Sequence, residues 1–303
     1  MNKIMLNILM IALLLPTNIF PSTKLKVVTA TADLADFVRV IGMDKVEVVS
    51  LTSGNQDPHF IEPRPSMVMK VKNADMLVRL GMDLDIWMQS LIDASRNSKV
   101  SYGGVGYVDV SGKIDKLEVP TGKVDASMGD IHIFGNPHYW LDPENAKPIL
   151  ETILKKLCYQ LPSETEYFQK NYKEYLQKLD SAIVVWKKKM EPYSGEKIVT
   201  YHNSWPYFAK RFGLSLVGFV EPKPGIPPTP SHIVSLIEKI KREKVKVIVM
   251  EPYFILKVAE TIAEQSRSKV IVLSPSVGGI EGIKTYLDLF DYNINKLVES
   301  LKN

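Results

Sequence analysis

Two patterns of hydrophobic and polar positions alternate along most of the chain. Short apolar runs, typical of buried strands, are followed by stretches in which apolar residues recur every three or four positions, typical of helices. The predicted strands are Leu25–Ala30, Val46–Leu51, Met76–Leu80, Val105–Val110, Lys197–Tyr201, Leu214–Val220, Val245–Met250 and Val270–Leu273. The predicted helices between them are Asp33–Ile41, Ser66–Lys72, Leu84–Ala94, Ser204–Phe212, Ser231–Glu243, Leu256–Ser266 and Thr285–Leu301. This alternation predicts an α/β fold of two lobes, each a mostly parallel sheet flanked by helices.

A longer helical pattern separates the two halves. Its single apolar stripe consists of Phe168, Tyr172, Tyr175, Leu179, Ile183, Trp186 and Met190. The pattern predicts one helix over Ser163–Glu191, roughly 40 Å long at 1.5 Å per residue, and Ser163 followed by Glu166 has the form of a capping box. We therefore expect an N-terminal lobe at 24–160, a rigid linking helix at 161–192 and a C-terminal lobe at 193–303.

The first residues differ from the rest of the chain. Lys3 is the only charged residue before Lys24, and the segment between them is apolar at first and ends in small residues. This pattern predicts a secretory signal peptide at 1–23, with an uncleaved anchor helix as the alternative. The only cysteine, Cys158, lies far from any processing site. We therefore expect a periplasmic protein without a lipid anchor.

Composition changes this picture little. The chain has 303 residues, 45% of them hydrophobic and 24% charged, which suits a substantial core and two domains. The net charge is +4, and the lysines are dispersed. Because nucleic-acid binding normally requires clustered basic residues, we expect no nucleic-acid partner, and we expect a monomer.

The candidate chemistry lies in three of the five histidines. His59 and His138 each follow a proline, and His202 directly follows a predicted strand. Ligand sites in open α/β sheets form outside the carboxyl ends of strands, and neutral imidazole is the commonest nitrogen ligand of zinc. Spacing alone also allows each of them to be a hydrogen-bonded loop or core residue.

Five segments make the interpretation more specific. They are Gly54–His59, Gly135–Pro143, Tyr201–Phe208, Pro224–Pro230 and Glu251–Phe254. In this order they resemble the zinc/manganese solute-binding proteins of ABC transporters, over nearly the whole chain after the signal peptide. The resemblance implies two lobes joined by a rigid helix, a metal ion between them, and His59, His138 and His202 as its ligands.

One segment departs from the family pattern. Where family members often carry a carboxylate ligand after the last strand, this chain has Ser274 and no aspartate. We predict Glu251 as the fourth ligand, with Glu281, Asp57 or water as alternatives.

Two further histidines stand outside this set. His132 is either an exposed loop residue or a minor participant in metal acquisition, and we expect His232 to be structural.

The ligand types point to the cargo. Three nitrogens with at most one oxygen favour Zn²⁺, whereas Mn²⁺ prefers more oxygen ligands. We therefore expect a protein that captures zinc and delivers it to the membrane permease of an ABC transporter, rather than an enzyme. The alternatives are a manganese-binding protein of the same type and a secreted zinc-dependent hydrolase that uses Glu251 as its base.

Overall fold

A computed structural model of the chain describes residues 24–122, 129 and 132–302. The predicted signal peptide at 1–23 lies outside the described residues. None of the helices in the described part combines the length and the apolar character that crossing a bilayer requires.

The described residues contain two four-stranded sheets, and every strand pairing in them is parallel. The first contains β1 (Leu25–Thr29), β2 (Val46–Ser50), β3 (Met76–Arg79) and β4 (Tyr107–Asp109). The second contains β5 (Lys197–Thr200), β6 (Ser215–Phe219), β7 (Val247–Met250) and β8 (Lys269–Val272). Their strand orders, β2-β1-β3-β4 and β6-β5-β7-β8, are the same when counted within each sheet. The predicted fold class, two similar α/β lobes, is confirmed.

Helices connect and cover the strands. In the N-terminal half they are α1 (Ala32–Gly42), α2 (Pro65–Lys72), α3 (Met88–Ser95) and α4 (Ala146–Gln160). In the C-terminal half they are α6 (Pro206–Phe212), α7 (Pro230–Glu243), α8 (Leu256–Ser266) and α9 (Tyr286–Leu301). The carboxyl ends of the strands in each sheet lie at one edge because the strands are parallel. Loops that leave these ends supply the candidate site.

The long helix α5 (Thr165–Met190) packs against helices of both halves. Near its start, Asn171 donates a hydrogen bond to the carbonyl oxygen of Ile41 in α1 (3.0 Å). Near its end, the Trp186 ring stacks on Phe290 of α9, and its indole N–H donates to Asp291 (2.7 Å). A single apolar core includes residues of both sheets and of α5. The long rigid helix is confirmed, whereas the domain boundaries at 160 and 192 stay predictions.

Two local predictions are wrong. The expected capping box at Ser163 is absent, because a short 3-10 turn at Pro162–Glu164 precedes α5 and no side chain caps the helix. The helix predicted over Leu84–Ala94 begins only at Met88. The buried carboxylate of Asp85 accepts the backbone N–H of Leu80 (2.6 Å), which holds the preceding residues in turns.

Candidate metal centre

The structure brings three of the predicted ligands together. The side chains of His59, His138 and His202 each offer a nitrogen, and these atoms lie within 4.8 Å of one another. Their ring centroids are 5.0 to 5.5 Å apart. Tetrahedral zinc, with Zn–N distances of about 2.0–2.1 Å, needs nitrogens roughly 3.3 Å apart. Small side-chain adjustments are therefore enough to complete a three-nitrogen site.

The fold explains how these side chains meet. His59 lies in the loop that follows β2, and His202 lies directly after β5, so both are at the carboxyl ends of strands. His138 precedes a 3-10 turn at Tyr139–Leu141, in the segment that leads into α4. Residues of both halves thus contribute to one cluster.

His59 and His138 are held by the same local device. The side-chain oxygen of Asp57 accepts both the backbone N–H of His59 (3.0 Å) and its ring Nδ1–H (2.7 Å). Asn136 does the same for His138, at 3.0 Å for both bonds. An Asx residue two positions before the histidine therefore fixes backbone and ring together, and the intervening proline restricts the turn. With Nδ1 occupied, the Nε2 atoms are left for a metal, and both are buried without a hydrogen-bond partner.

His202 is held by a residue distant in sequence. Its Nδ1 hydrogen bonds to Glu221 Oε2 (2.7 Å), which follows the neighbouring strand β6. Carboxylates that orient ligating imidazoles in this way also raise their basicity. No local sequence pattern points to Glu221, since only the strand order places β6 beside β5.

The predicted fourth ligand lies in a different setting. Glu251 follows β7 and is fully buried; its Oε1 accepts the indole N–H of Trp205 (3.0 Å), and its Oε2 has no hydrogen-bond partner. Burial raises the pKa of Glu251 to about 7, although His202 acts to lower it. The carboxylate is not a member of the three-histidine group. Its direct coordination of a metal stays a prediction.

The other candidate oxygen ligands either make hydrogen bonds elsewhere or lie outside the three-histidine group. Asp57 orients His59, and Glu281 is exposed and outside the group. The Ser274 hydroxyl donates to the Ser276 carbonyl oxygen (2.8 Å), while Asn293 holds the Ser274 backbone through two hydrogen bonds of 2.8 Å. The segment after β8 is therefore fixed, and the Ser274 hydroxyl forms its hydrogen bond within its own loop.

The remaining histidines differ from each other. His132 is half-buried rather than exposed, and its ring centroid lies 5.2 Å from that of His59. It lines a cavity of about 330 Å³ with His138 and His202. His232 lies outside the three-histidine group, and its Nε2 hydrogen bonds to the Phe219 carbonyl oxygen (3.0 Å). Its structural role stays a prediction.

The electrostatic setting favours a cation. Burial lowers the pKa of His138 well below its ordinary value, and the neighbouring histidines act in the same direction, so this ring is neutral. Burial also acts to lower the pKa of His202, but the hydrogen bond to Glu221 and the charge of Glu251 outweigh it and raise the pKa. The neutral ring of His138 and the carboxylates of Glu221 and Glu251 near His202 form a site suited to a divalent metal.

Comparison with known proteins agrees with this geometry. A family model described as zinc-uptake complex component A, periplasmic (ZnuA), matches residues 27–300. The chain belongs to the ZnuA family. A solved structure of ZnuA covers 91% of this chain and 98% of its own at a TM-score of 0.77 and 23% identity, which shows the shared fold.

Relatives of this chain are named for different metals. The manganese ABC transporter substrate-binding lipoprotein PsaA of Streptococcus pneumoniae is 29% identical, over 92% of this chain and 89% of its own. The zinc uptake protein ZnuA of Bacillus subtilis is 27% identical, over 92% and 88%. The iron ABC transporter substrate-binding lipoprotein MtsA of Streptococcus pyogenes is 30% identical, over 92% and 90%. Similarity therefore establishes kinship with metal-transport binding proteins and leaves the metal open.

One expectation about the cell envelope is not borne out. The prediction of no lipid anchor rested on the position of Cys158 relative to a signal peptide in residues outside the described part. PsaA and MtsA are both named as lipoproteins.

Proposed function

We propose that this chain captures Zn²⁺ outside the cytoplasm through His59, His138 and His202 and delivers it to an ABC transporter permease. The observation that supports the proposal most strongly is the convergence of the three rings, each with Nδ1 hydrogen bonded to a separate oxygen and Nε2 left for the ion. Fixing the rings before the metal arrives lowers the entropic cost of binding.

The donor set supports zinc over manganese. The group contains three nitrogens and no carboxylate oxygen among the described residues, and imidazole suits zinc whereas oxygen ligands suit manganese. Manganese is the second candidate, because PsaA is named for it and because the buried, unpartnered Oε2 of Glu251 would add an oxygen if it joined the site.

Kinship supports binding rather than catalysis. Relatives over nine-tenths of the chain are named as transporter components, and this favours transport over the secreted hydrolase considered from the sequence. The ligands come from both halves of the chain, which suits enclosure of an ion.

Single alanine substitutions test the site. Zinc affinity is measured by competition with a chromogenic chelator for H59A, H138A and H202A, and each is expected to lose more than about 100-fold, because even changes to residues that merely orient zinc ligands cost 10–100-fold. His232, which hydrogen bonds to Phe219, provides the matched control, and H232A is expected to bind as the wild type does. Wild-type affinity in all three ligand variants would refute the site, and Mn²⁺ displacing Zn²⁺ at equal concentration would refute the choice of metal.

A further inference from the structure

The carboxylate of Glu118 connects the segments that carry two of the three histidines. Its Oε2 accepts a hydrogen bond from the side-chain amide of Asn136 (3.0 Å) and a second from that of Asn203 (2.8 Å). Asn136 is the residue that fixes His138, and Asn203 directly follows His202. One oxygen atom thus ties the support of one histidine to the neighbour of another, in addition to the direct hydrogen bond from the Asn136 side-chain amide to the Asn203 carbonyl oxygen (2.9 Å).

The backbone that presents Glu118 is itself fixed to both halves. The Asn136 N–H donates to the Leu117 carbonyl oxygen (2.8 Å), and the Leu117 N–H donates to the Tyr207 hydroxyl (3.0 Å). The Tyr207 hydroxyl in turn donates to the Asn136 carbonyl oxygen (3.1 Å). Gly135 allows this approach, since a Cβ there would lie 2.6 Å from the Leu117 oxygen. The segment 114–120, which we name the strap, is therefore held at the site by a closed set of bonds.

Glu118 in the strap has a strained backbone conformation. Glu118 has φ +55°, in the left-handed region that side chains other than glycine rarely adopt. Such conformations cost roughly 1–3 kcal/mol and persist where the surrounding structure enforces them. The hydrogen bonds to Asn136 and Asn203 supply that enforcement.

Glu118 also lies beside the candidate metal centre. It lines the same cavity of about 330 Å³ as His138 and His202. Separation of the imidazoles from one another would weaken their hold on an ion. Because the Glu118 bridge restrains the support of His138 and the neighbour of His202 together, it opposes this separation.

We propose that Glu118 is a positioning residue that slows metal release by holding the His138 and His202 segments together. This inference rests on the proposed function, since it assumes that those two histidines bind the ion. It adds to the site a residue that does not touch the metal and that no local sequence pattern indicates.

The test measures zinc dissociation and association rates separately. The zinc-loaded full chain is mixed with excess chelator to obtain the dissociation rate, and the zinc-free chain is mixed with Zn²⁺ to obtain the association rate. Residues that orient ligands typically contribute 10–100-fold to affinity. Glu118 contacts Asn136, which orients His138, rather than the histidine itself. E118A is therefore expected to release zinc about tenfold faster, with an association rate within about twofold of the wild type.

Two further variants separate bridging from charge and from folding. E118Q keeps an oxygen acceptor without the charge, so its dissociation rate should lie between those of the wild type and E118A. Asp115 is an exposed carboxylate in the same strap, with no hydrogen bond or ion pair within the described part of the chain, and D115A should release zinc as the wild type does. The thermal midpoint of zinc-free E118A should stay close to that of the wild type.

The possible results have distinct meanings. If E118A releases zinc within twofold of the wild-type rate while H138A and H202A lose binding, the bridge is refuted and the proposed function stands. Equal acceleration by D115A and E118A would also refute the bridge, because loss of any nearby charge would then suffice. If H138A and H202A keep wild-type affinity, the proposed function fails, and the inference about Glu118 fails with it.

Discussion

Replacing Glu251 with glutamine should stabilise the zinc-free protein and weaken zinc binding at the same time. Glu251 is fully buried, and no arginine or lysine pairs with it among the described residues. Burial raises its pKa from 4.5 to about 7. At about 1.4 kcal/mol per pKa unit, the ionised carboxylate costs about 3 kcal/mol of folding free energy above pH 7. Glutamine removes that cost and keeps an oxygen to accept the Trp205 N–H.

The sign of the pH dependence follows from the raised pKa. Below about pH 4.5 the carboxyl is protonated in both the folded and the unfolded chain and contributes nothing. As the pH rises towards 7, the unfolded chain ionises first, so the wild type loses stability that E251Q retains. The difference in unfolding free energy between the two proteins should grow over this window and stay constant above it.

The assay is chemical unfolding of the chelator-treated protein at several pH values between 4 and 8.5, beside zinc competition at pH 7.5. E251Q should lose about tenfold in zinc affinity, less than a histidine variant loses, if its charge acts without direct coordination. The exposed Glu281 supplies the control, and E281Q should change neither quantity. If E251Q is less stable than the wild type at pH 8, the reasoning about its burial is wrong. A loss of affinity equal to that of H59A would identify Glu251 as a direct ligand.

Two other predictions concern residues that support the site and the contact between the halves. D57A and N136A should each lower zinc affinity by about 10–100-fold in chelator competition, because each removes the oxygen that fixes a histidine ring. Wild-type affinity in both variants would show that the two rings need no such support. Asp33, whose oxygen accepts the Val277 N–H (3.0 Å) across the two halves, has its pKa raised by burial to about 6. D33N should therefore stabilise the zinc-free protein at pH 8 by at most about 3 kcal/mol and should give no gain below pH 4. Reduced stability of D33N at pH 8 would mean that the lost hydrogen bonds outweigh the removal of the buried charge.

The sequence predicted the elements better than their ends. The predicted helix Leu256–Ser266 has the same bounds in the structure, because its apolar stripe alone defines it. The start of α3 was wrong because Asp85 satisfies backbone N–H groups outside any helix. The only capping box described among the helices is at Thr285 and Asp288 rather than at Ser163. Side chains that hydrogen bond to backbone groups decide where such helices begin, and the spacing of apolar residues alone does not reveal these bonds.

The candidate site, like the helices and strands, was predictable only in part. Residue type and position made the three histidines candidates, and the family resemblance implied them as ligands. The repeated Asx-Pro-His sequences at Asp57–His59 and Asn136–His138 contain the groups that orient two of them. Glu221 and Glu118 could not be found in this way. Each reaches its partner only after strands or loops distant in sequence are placed side by side.

The packing between the halves restricts how an ion can leave. The apolar core is continuous through both halves, and buried polar bonds cross it: the Tyr286 N–H donates to Asp36 (2.8 Å), and the Trp140 indole N–H donates to the Pro275 carbonyl oxygen (2.8 Å). Separating the halves widely would break these contacts and expose the core, at a cost far above the few kcal/mol that typically separate functional states. We therefore expect release to proceed by local movement of the loops that carry the histidines, which is the movement that the proposed Glu118 bridge would oppose.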